Sequence, residues 1–159
     1  GTRKRATVDD RPDDPRTWPI FRQCTRRHTA QIHGRGRYAC ASRYAGRYVV
    51  TLSVDQVTFR EPVHVGELVT FLASVNYTGR TSMEVGIKVI TENIRERSVR
   101  HSNSCFFTMV AVDEHGKSIE VPPRQPETSE ERRRFEQGRQ RREIRQELES
   151  RYRALKGEA

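Results

Sequence analysis

The chain has 159 residues, of which 33% are hydrophobic and 32% charged, and its formal net charge is +9. That length suits one domain with an appended helix, and so lean an apolar content predicts a core shared with a second subunit or ends left unfolded. No apolar run approaches the ~18 residues of a membrane span, the basic start lacks the apolar stretch of a signal peptide, and Cys24, Cys40 and Cys105 make no disulfide framework. A cytoplasmic protein with no membrane contact is expected.

The charge is not spread evenly. Residues 1 to 48 hold 12 Lys/Arg against 4 Asp/Glu, and residues 49 to 159 hold 18 against 17. Residues 1–22 read as a basic, irregular segment. The next tract, CTRRHTAQIHGRGRYAC from Cys24 to Cys40, raises the question of zinc, because Cys24, His28, His33 and Cys40 have the right ligand types. Their spacing fits no compact zinc module, so no metal is expected. A nucleic-acid arm is the other reading of this basic third, and it requires binding that falls steeply with salt. The near-neutral remainder argues against it.

From Tyr48 the texture changes. Tyr48 to Val54 is β-branched and aromatic, and Val57 to Phe59 extends the same composition. Glu61-Pro62 and Val65-Gly66-Glu67 form a turn. Leu68 to Tyr77 alternates as a half-buried strand, and after Thr78-Gly79-Arg80 the alternation resumes from Ser82 to Ile90. A charged connection over Asn93–Arg100 leads to the dense apolar run Cys105–Val112. Four long strands with short connections predict an antiparallel sheet. Pro122, Pro123 and Pro126 end it, and Ser129 with Glu130 and Glu131 opens a helix. Ile144, Leu148, Tyr152 and Leu155 make one narrow apolar stripe on that helix. Glu is nearly as common as Arg there, so it reads as a solvated helix lying on the sheet or a neighbouring subunit rather than an RNA-binding one.

The blocks PVHVGE and GRTSMEV, within VDQVTFREPVHVGELVTFLASVNYTGRTSMEVGIKV, followed by FFTMVAVDEHGK, resemble the acyl-CoA thioesterase branch of the hotdog fold. The resemblance runs from Tyr48 to about Glu149. It implies an α+β fold in which an antiparallel sheet wraps a central helix, with self-association as dimers or hexamers. It also implies hydrolysis of acyl-CoA to fatty acid and coenzyme A, with no cofactor. Residues 23–122 are then the domain, with 23–40 anomalous, and 123–159 the Pro-rich linker and charged helix. Gly79, Arg80, Thr81, Ser82 and Met83 are the expected coenzyme A contacts. Their guanidinium, hydroxyls and backbone N–H groups suit a pyrophosphate. Phe59 and Val63 are expected in the acyl or pantetheine tunnel, although ordinary packing explains them as well. Asp55 and Asp113 read as structural carboxylates, His64 as a solvent-facing strand-end residue, and His101 and His115 as turn residues.

The family's catalytic elements precede this region: an Asn, a Gly-Gly turn and a helical Asp. Here no Gly-Gly occurs and no acid lies between Asp14 and Asp55, so the catalytic residues are unassigned. A central helix bearing Arg26, Arg27, Arg35 and Arg37 with His28 and His33 would bury charges at prohibitive cost, so the tract is expected to be irregular or badly packed. Reading Gln23 through Gly34 one nucleotide out of frame permits NVLGGTLLKFMD, which restores the missing pattern. The tract from about Pro15 to Ala39 therefore reads as frameshifted, and the chain as impaired in hydrolysis. The alternative is a non-catalytic module that binds acyl-CoA.

Overall fold

A computed structural model of the chain describes residues 17–24, 29–55, 57 and 59–158, with side chains from Arg37 onward. The elements are β1 (Thr17–Cys24), α1 (Thr29–Ala45), β2 (Tyr48–Val54), β3 (Leu68–Thr78), β4 (Ser82–Asn93), β5 (Ser98–Val112) and α2 (Ser129–Leu155). The strands form one antiparallel sheet in the order β1-β3-β4-β5-β2. On one face Val69, Phe71, Ala73 and Val75 of β3, Met83, Val85, Ile87 and Val89 of β4, and Cys105, Phe107, Met109 and Ala111 of β5 are buried. The period of two along each strand puts them all on the side that α1 covers. The opposite face carries α2.

Several expectations are corrected. The sheet has five strands, not four, because residues 17–22 belong to β1 rather than to an irregular segment. β1 pairs with β3 from Thr17↔Ser74 to Cys24↔Leu68, and the register shifts between Pro19 and Phe21. An edge strand with a bulge accommodates a proline that a central strand would reject. β2 ends at Val54 and does not run on to Phe59. Beyond it the chain stays beside β5 through single bonds: Asp55 N–H to Phe106 O at 3.0 Å and Arg60 N–H to Ser102 O at 3.2 Å. The β4–β5 connection is shorter than expected, so Ser98 already starts β5 and His101 lies in a strand instead of a turn.

The tract expected to be irregular is helical over Thr29–Ala45. A helix closes its own backbone hydrogen bonds whatever its side chains, and the sheet supplies the surface on which it lies. The misfit shows in a side chain. Arg37 carries a buried Nε with no hydrogen-bond partner, and its guanidinium sits 4.5 Å from the centre of the Phe107 ring. Further along, Cys40 and Ala41 are buried and Tyr44 and Ala45 pack against the core. Cys24, His28 and His33 lie outside the described side chains. Cys40 is buried deeply enough to push its thiol up to about 12.

α2 is well defined by its own sequence. Thr128 caps it, accepting from Glu131 N–H, while the Glu131 carboxylate reaches back to the Thr128 backbone. This is a capping box, and the helix begins at Ser129, as expected. α2 then crosses the sheet. Phe135 meets the Tyr77 ring with centroids 4.9 Å apart, and a Cβ added at Gly138 would stand 2.7 Å from Tyr77 Cβ, so only glycine permits this approach. Arg141 donates to both carboxylate oxygens of Glu84 at 2.9 and 2.7 Å and stacks 3.6 Å over the Phe106 ring. Arg145 lies 3.6 Å from Asp55.

Candidate functional site

The PVHVGE block forms a braced turn. Gly66 has φ +92, a conformation that strains any side chain. The turn lets Glu67 come back to accept the His64 N–H at 2.8 Å and pair with Arg100 at 2.6 Å. Arg100 also donates to Pro62 O at 3.2 Å. Glu67 is buried, so this pair fixes the turn against β5. Sequence reading found the glycine and proline but missed the carboxylate and its distant arginine, because 33 residues separate them. Nearby, Asn103 is fully buried with both polar side-chain atoms unpaired.

The GRTS block makes the hairpin between β3 and β4. Gly79 N–H donates to Ser82 O at 2.9 Å, closing the turn. The carbonyls of Arg80 and Thr81 accept from Val121 and Ala111, at 2.9 and 3.0 Å, which ties the turn to the following segment and to β5. The Arg80 side chain is 75% exposed, and Glu120, its acidic neighbour among the described residues, is 3.9 Å away and equally exposed. Such a pair contributes little, so the guanidinium is available to an anion. Thr81 and Ser82 are half-buried beside it. Met83 is different: at 1% exposure it is part of the core under α1. The five residues are therefore contiguous, but four form the surface turn and the fifth faces inward.

A second guanidinium stands over the same turn. Arg142 of α2 comes within 3.2 Å of where a Gly79 Cβ would be, and donates to Tyr77 Oη at 3.3 Å. Sequence reading treated α2 as a solvated face and did not single it out. Phe59 and Val63 are not brought together in the same way. Phe59 is exposed on the 55–66 connection, whereas Val63 packs against the core. A shallow groove of about 650 Å³ lies at the same sheet end as the GRTS turn. It is lined by Tyr38, Ser42, Arg47, Tyr48, Val112 and Asp113 among others, and includes neither Phe59 nor Val63.

The two carboxylates read as structural have defined partners. Asp113 accepts the backbone N–H groups of His115 and Lys117 at 2.8 and 3.0 Å, closing the turn after β5. Asp55 is held above the usual carboxylate range by burial, with Arg145 opposing the shift. Among the described residues, no three His, Cys, Asp or Glu side chains cluster to hold a metal ion. No described helix is long and apolar enough to cross a membrane.

The sheet and the helix that covers it have known counterparts. Residues 34–98 match the thioesterase superfamily. A solved chain of a hexameric acyl-CoA thioesterase superimposes with a TM-score of 0.72 at 31% identity, covering 82% of this chain and 96% of that one. The chain belongs to the acyl-CoA thioesterase family, and its fold is the hotdog fold. An acyl-CoA hydrolase from Staphylococcus aureus, solved with butyryl coenzyme A and coenzyme A, superimposes with a TM-score of 0.72 at 26% identity, covering 87% of this chain and 89% of that one. Among curated relatives, protein VdlD of Helicobacter pylori is 55% identical over 108 residues, which is 68% of this chain. The chain spans 62% of that relative's length.

Proposed function

We propose that this acyl-CoA thioesterase family member binds acyl-CoA through the Gly79–Ser82 turn and belongs to a cytoplasmic, self-associating hydrolase that releases fatty acid and coenzyme A. The observation that carries the reading is the turn itself, in a chain that overlays 96% of a hexameric acyl-CoA thioesterase. Its carbonyls are tied down, and its one arginine is left to solvent beside two hydroxyls. That combination suits phosphate recognition. Phe59 and Val63 are assigned to the acyl or pantetheine path, which a second subunit would complete around the exposed Phe59. Hydrolysis needs a polarised carbonyl and a base for water. The absence of Gly-Gly and of any acid between Asp14 and Asp55 leaves the present chain short of both. That absence also favours a second reading, a module that binds acyl-CoA without turning it over.

One set of measurements separates these. Calorimetry should show coenzyme A binding that Arg80→Ala weakens by roughly 1.5–3 kcal/mol, the scale of a charged hydrogen-bonded pair. Arg80→Lys should recover only part, since a point charge lacks the fork. Unchanged affinity in both variants would remove Arg80 from the site. Thiol release from acyl-CoA then distinguishes hydrolase from binding module.

A further inference from the structure

α2 is longer than the sheet it crosses. Its sheet-facing residues step across the strands in order: Gly138 against Tyr77 of β3, Arg141 on Glu84 of β4 and Phe106 of β5, and Arg145 at Asp55, just past the end of β2. In the sheet order β3-β4-β5-β2, this is a path from the interior to the β2 edge. The same seam, advancing by three or four residues, continues as Leu148, Tyr152 and Leu155. These three have no sheet beneath them and are exposed by 48%, 56% and 82%. From Arg145 to Leu155 the helix advances about 15 Å, enough to span about three more strands at 4.8 Å spacing.

The edge that α2 overhangs is itself apolar and open. β2 is an outer strand, and Tyr48, Val50, Leu52 and Val54 are all exposed on it. Val49 points into the core, so Tyr48 and Val50 point to the opposite face, the one that carries α2. A bare apolar edge requires cover. If two copies pair antiparallel about Thr51, the middle residue of β2, Val54 of each copy lies opposite Tyr48 of the other. The overhang leaves one copy at the Val54–Asp55 end of β2. It therefore arrives on the second copy at Tyr48 and Val50, and beyond them at the half-buried Val110 and Val112 of β5. An isologous contact must be self-complementary in this way, with the helix seam and its landing strip both present on one chain.

We infer that the C-terminal half of α2 is a strap, which seats Leu148, Tyr152 and Leu155 on the Tyr48–Val50 face of a second copy of this chain. It rests on the self-association proposed above and adds what holds the copies together. The occupant is a second copy rather than another protein because one operation satisfies both the exposed edge and the exposed seam.

The test is sedimentation velocity across a concentration series. The unaltered chain should sediment as a dimer or larger, and Leu148→Arg with Tyr152→Arg should weaken the assembly by at least tenfold in concentration. Both residues are exposed within one copy, so the variant should keep its circular dichroism spectrum. Tyr48→Glu should weaken assembly similarly, and Leu148→Arg combined with Tyr48→Glu should recover part of it by pairing opposite charges. An assembly unchanged by Leu148→Arg/Tyr152→Arg overturns the strap and leaves self-association standing. A monomeric unaltered chain overturns self-association, and the strap with it.

Discussion

The two helices lie on opposite faces of one sheet and are matched to it very differently. Along α2 the steps that touch the sheet have partners of matching shape or charge: a ring for Phe135, a close approach at Gly138 and a buried carboxylate for Arg141. Arg145 has the Asp55 carboxylate at 3.6 Å, an ion pair that still leaves Arg145 Nη1 without a hydrogen bond. α1 also covers its face, yet its first described side chain, Arg37, buries a donor with nothing to receive it. The difference teaches that a helix in the right place is not the same as a helix that belongs there. Backbone hydrogen bonding and the presence of a concave sheet place α1, whereas side-chain complementarity distinguishes a fitted helix from a tolerated one.

The largest effect should come from making α1 fit. Replacing residues 23–34 by NVLGGTLLKFMD, and carrying the alternate frame to about residue 39, supplies small and aliphatic residues for the concave face. It also supplies a Gly-Gly turn and a helical Asp. Acyl-CoA hydrolysis should rise by at least about 100-fold, the scale of a positioned general base, and the melting temperature should rise with it. Changing the new Asp to Ala should remove the activity. If the unrepaired chain already turns over acyl-CoA at an ordinary enzymatic rate, the frameshift reading is wrong. The nucleotide sequence across codons 15 to 41 tests it independently.

The comparison can next be sharpened with one arginine from each helix. Arg141→Ala strands Glu84, which is 4% exposed and among the described residues keeps a 3.3 Å contact from Asn76 Nδ2. Breaking such a pair should cost about 3 kcal/mol in denaturant unfolding, toward the low end for buried pairs because 23% of Arg141 remains exposed. Arg37→Leu should act in the opposite direction. It removes an unsatisfied donor and keeps apolar contact with Phe107, for a gain of about 1 kcal/mol after the lost cation–π contact is subtracted. Destabilisation by both substitutions would mean that the helices are equally well fitted, and the contrast would collapse.

How much of this was legible in the residues follows the same division. Where local pattern and tertiary role agree, reading succeeded: the alternation of β3 and β4, the turn at Gly79 and the start of α2 all stand near where the spacing put them. β1 is hard to see in TWPIFRQC, which carries a proline and lies in a basic segment, and its pairing with β3 is a long-range fact. Val57 and Phe59 share the composition of β2, yet the strand ends at Val54, and composition alone does not mark that end. The charge density of residues 93–100 hides the strand that begins at Ser98 and holds His101. At the site, the contiguous residues Gly79 to Ser82 could be found from one stretch. Arg142 and the Glu67–Arg100 brace could not, since each joins residues far apart in the chain. Nor does any sequence spacing show that Met83, the next residue after Ser82, turns inward.

The smallest effect is confined to alkaline pH and probes the part of α1 that does fit. Cys40 is buried against the core, which pushes its thiol from an ordinary value of 9.0 up to about 12. Cys105, across the same core, is raised to about 11 by burial, with Arg37 opposing. In the unfolded chain both thiols lose their protons near pH 9, while in the folded chain they keep them. The folded state therefore binds more protons between those limits, and stability must fall as pH rises from about 9 toward 12. At neutral pH both states hold the proton and nothing is lost. By pH 10 each thiol should account for about 1 kcal/mol, since one pH unit across such a gap is worth about 1.4 kcal/mol. Denaturant melts at pH 8, 9 and 10 should show this decline, and Cys40→Ala should flatten about half of it even if the small cavity lowers stability at every pH. A slope that Cys40→Ala leaves untouched would show that the thiol is already open to solvent, and that this end of α1 is packed no better than the turn around Arg37.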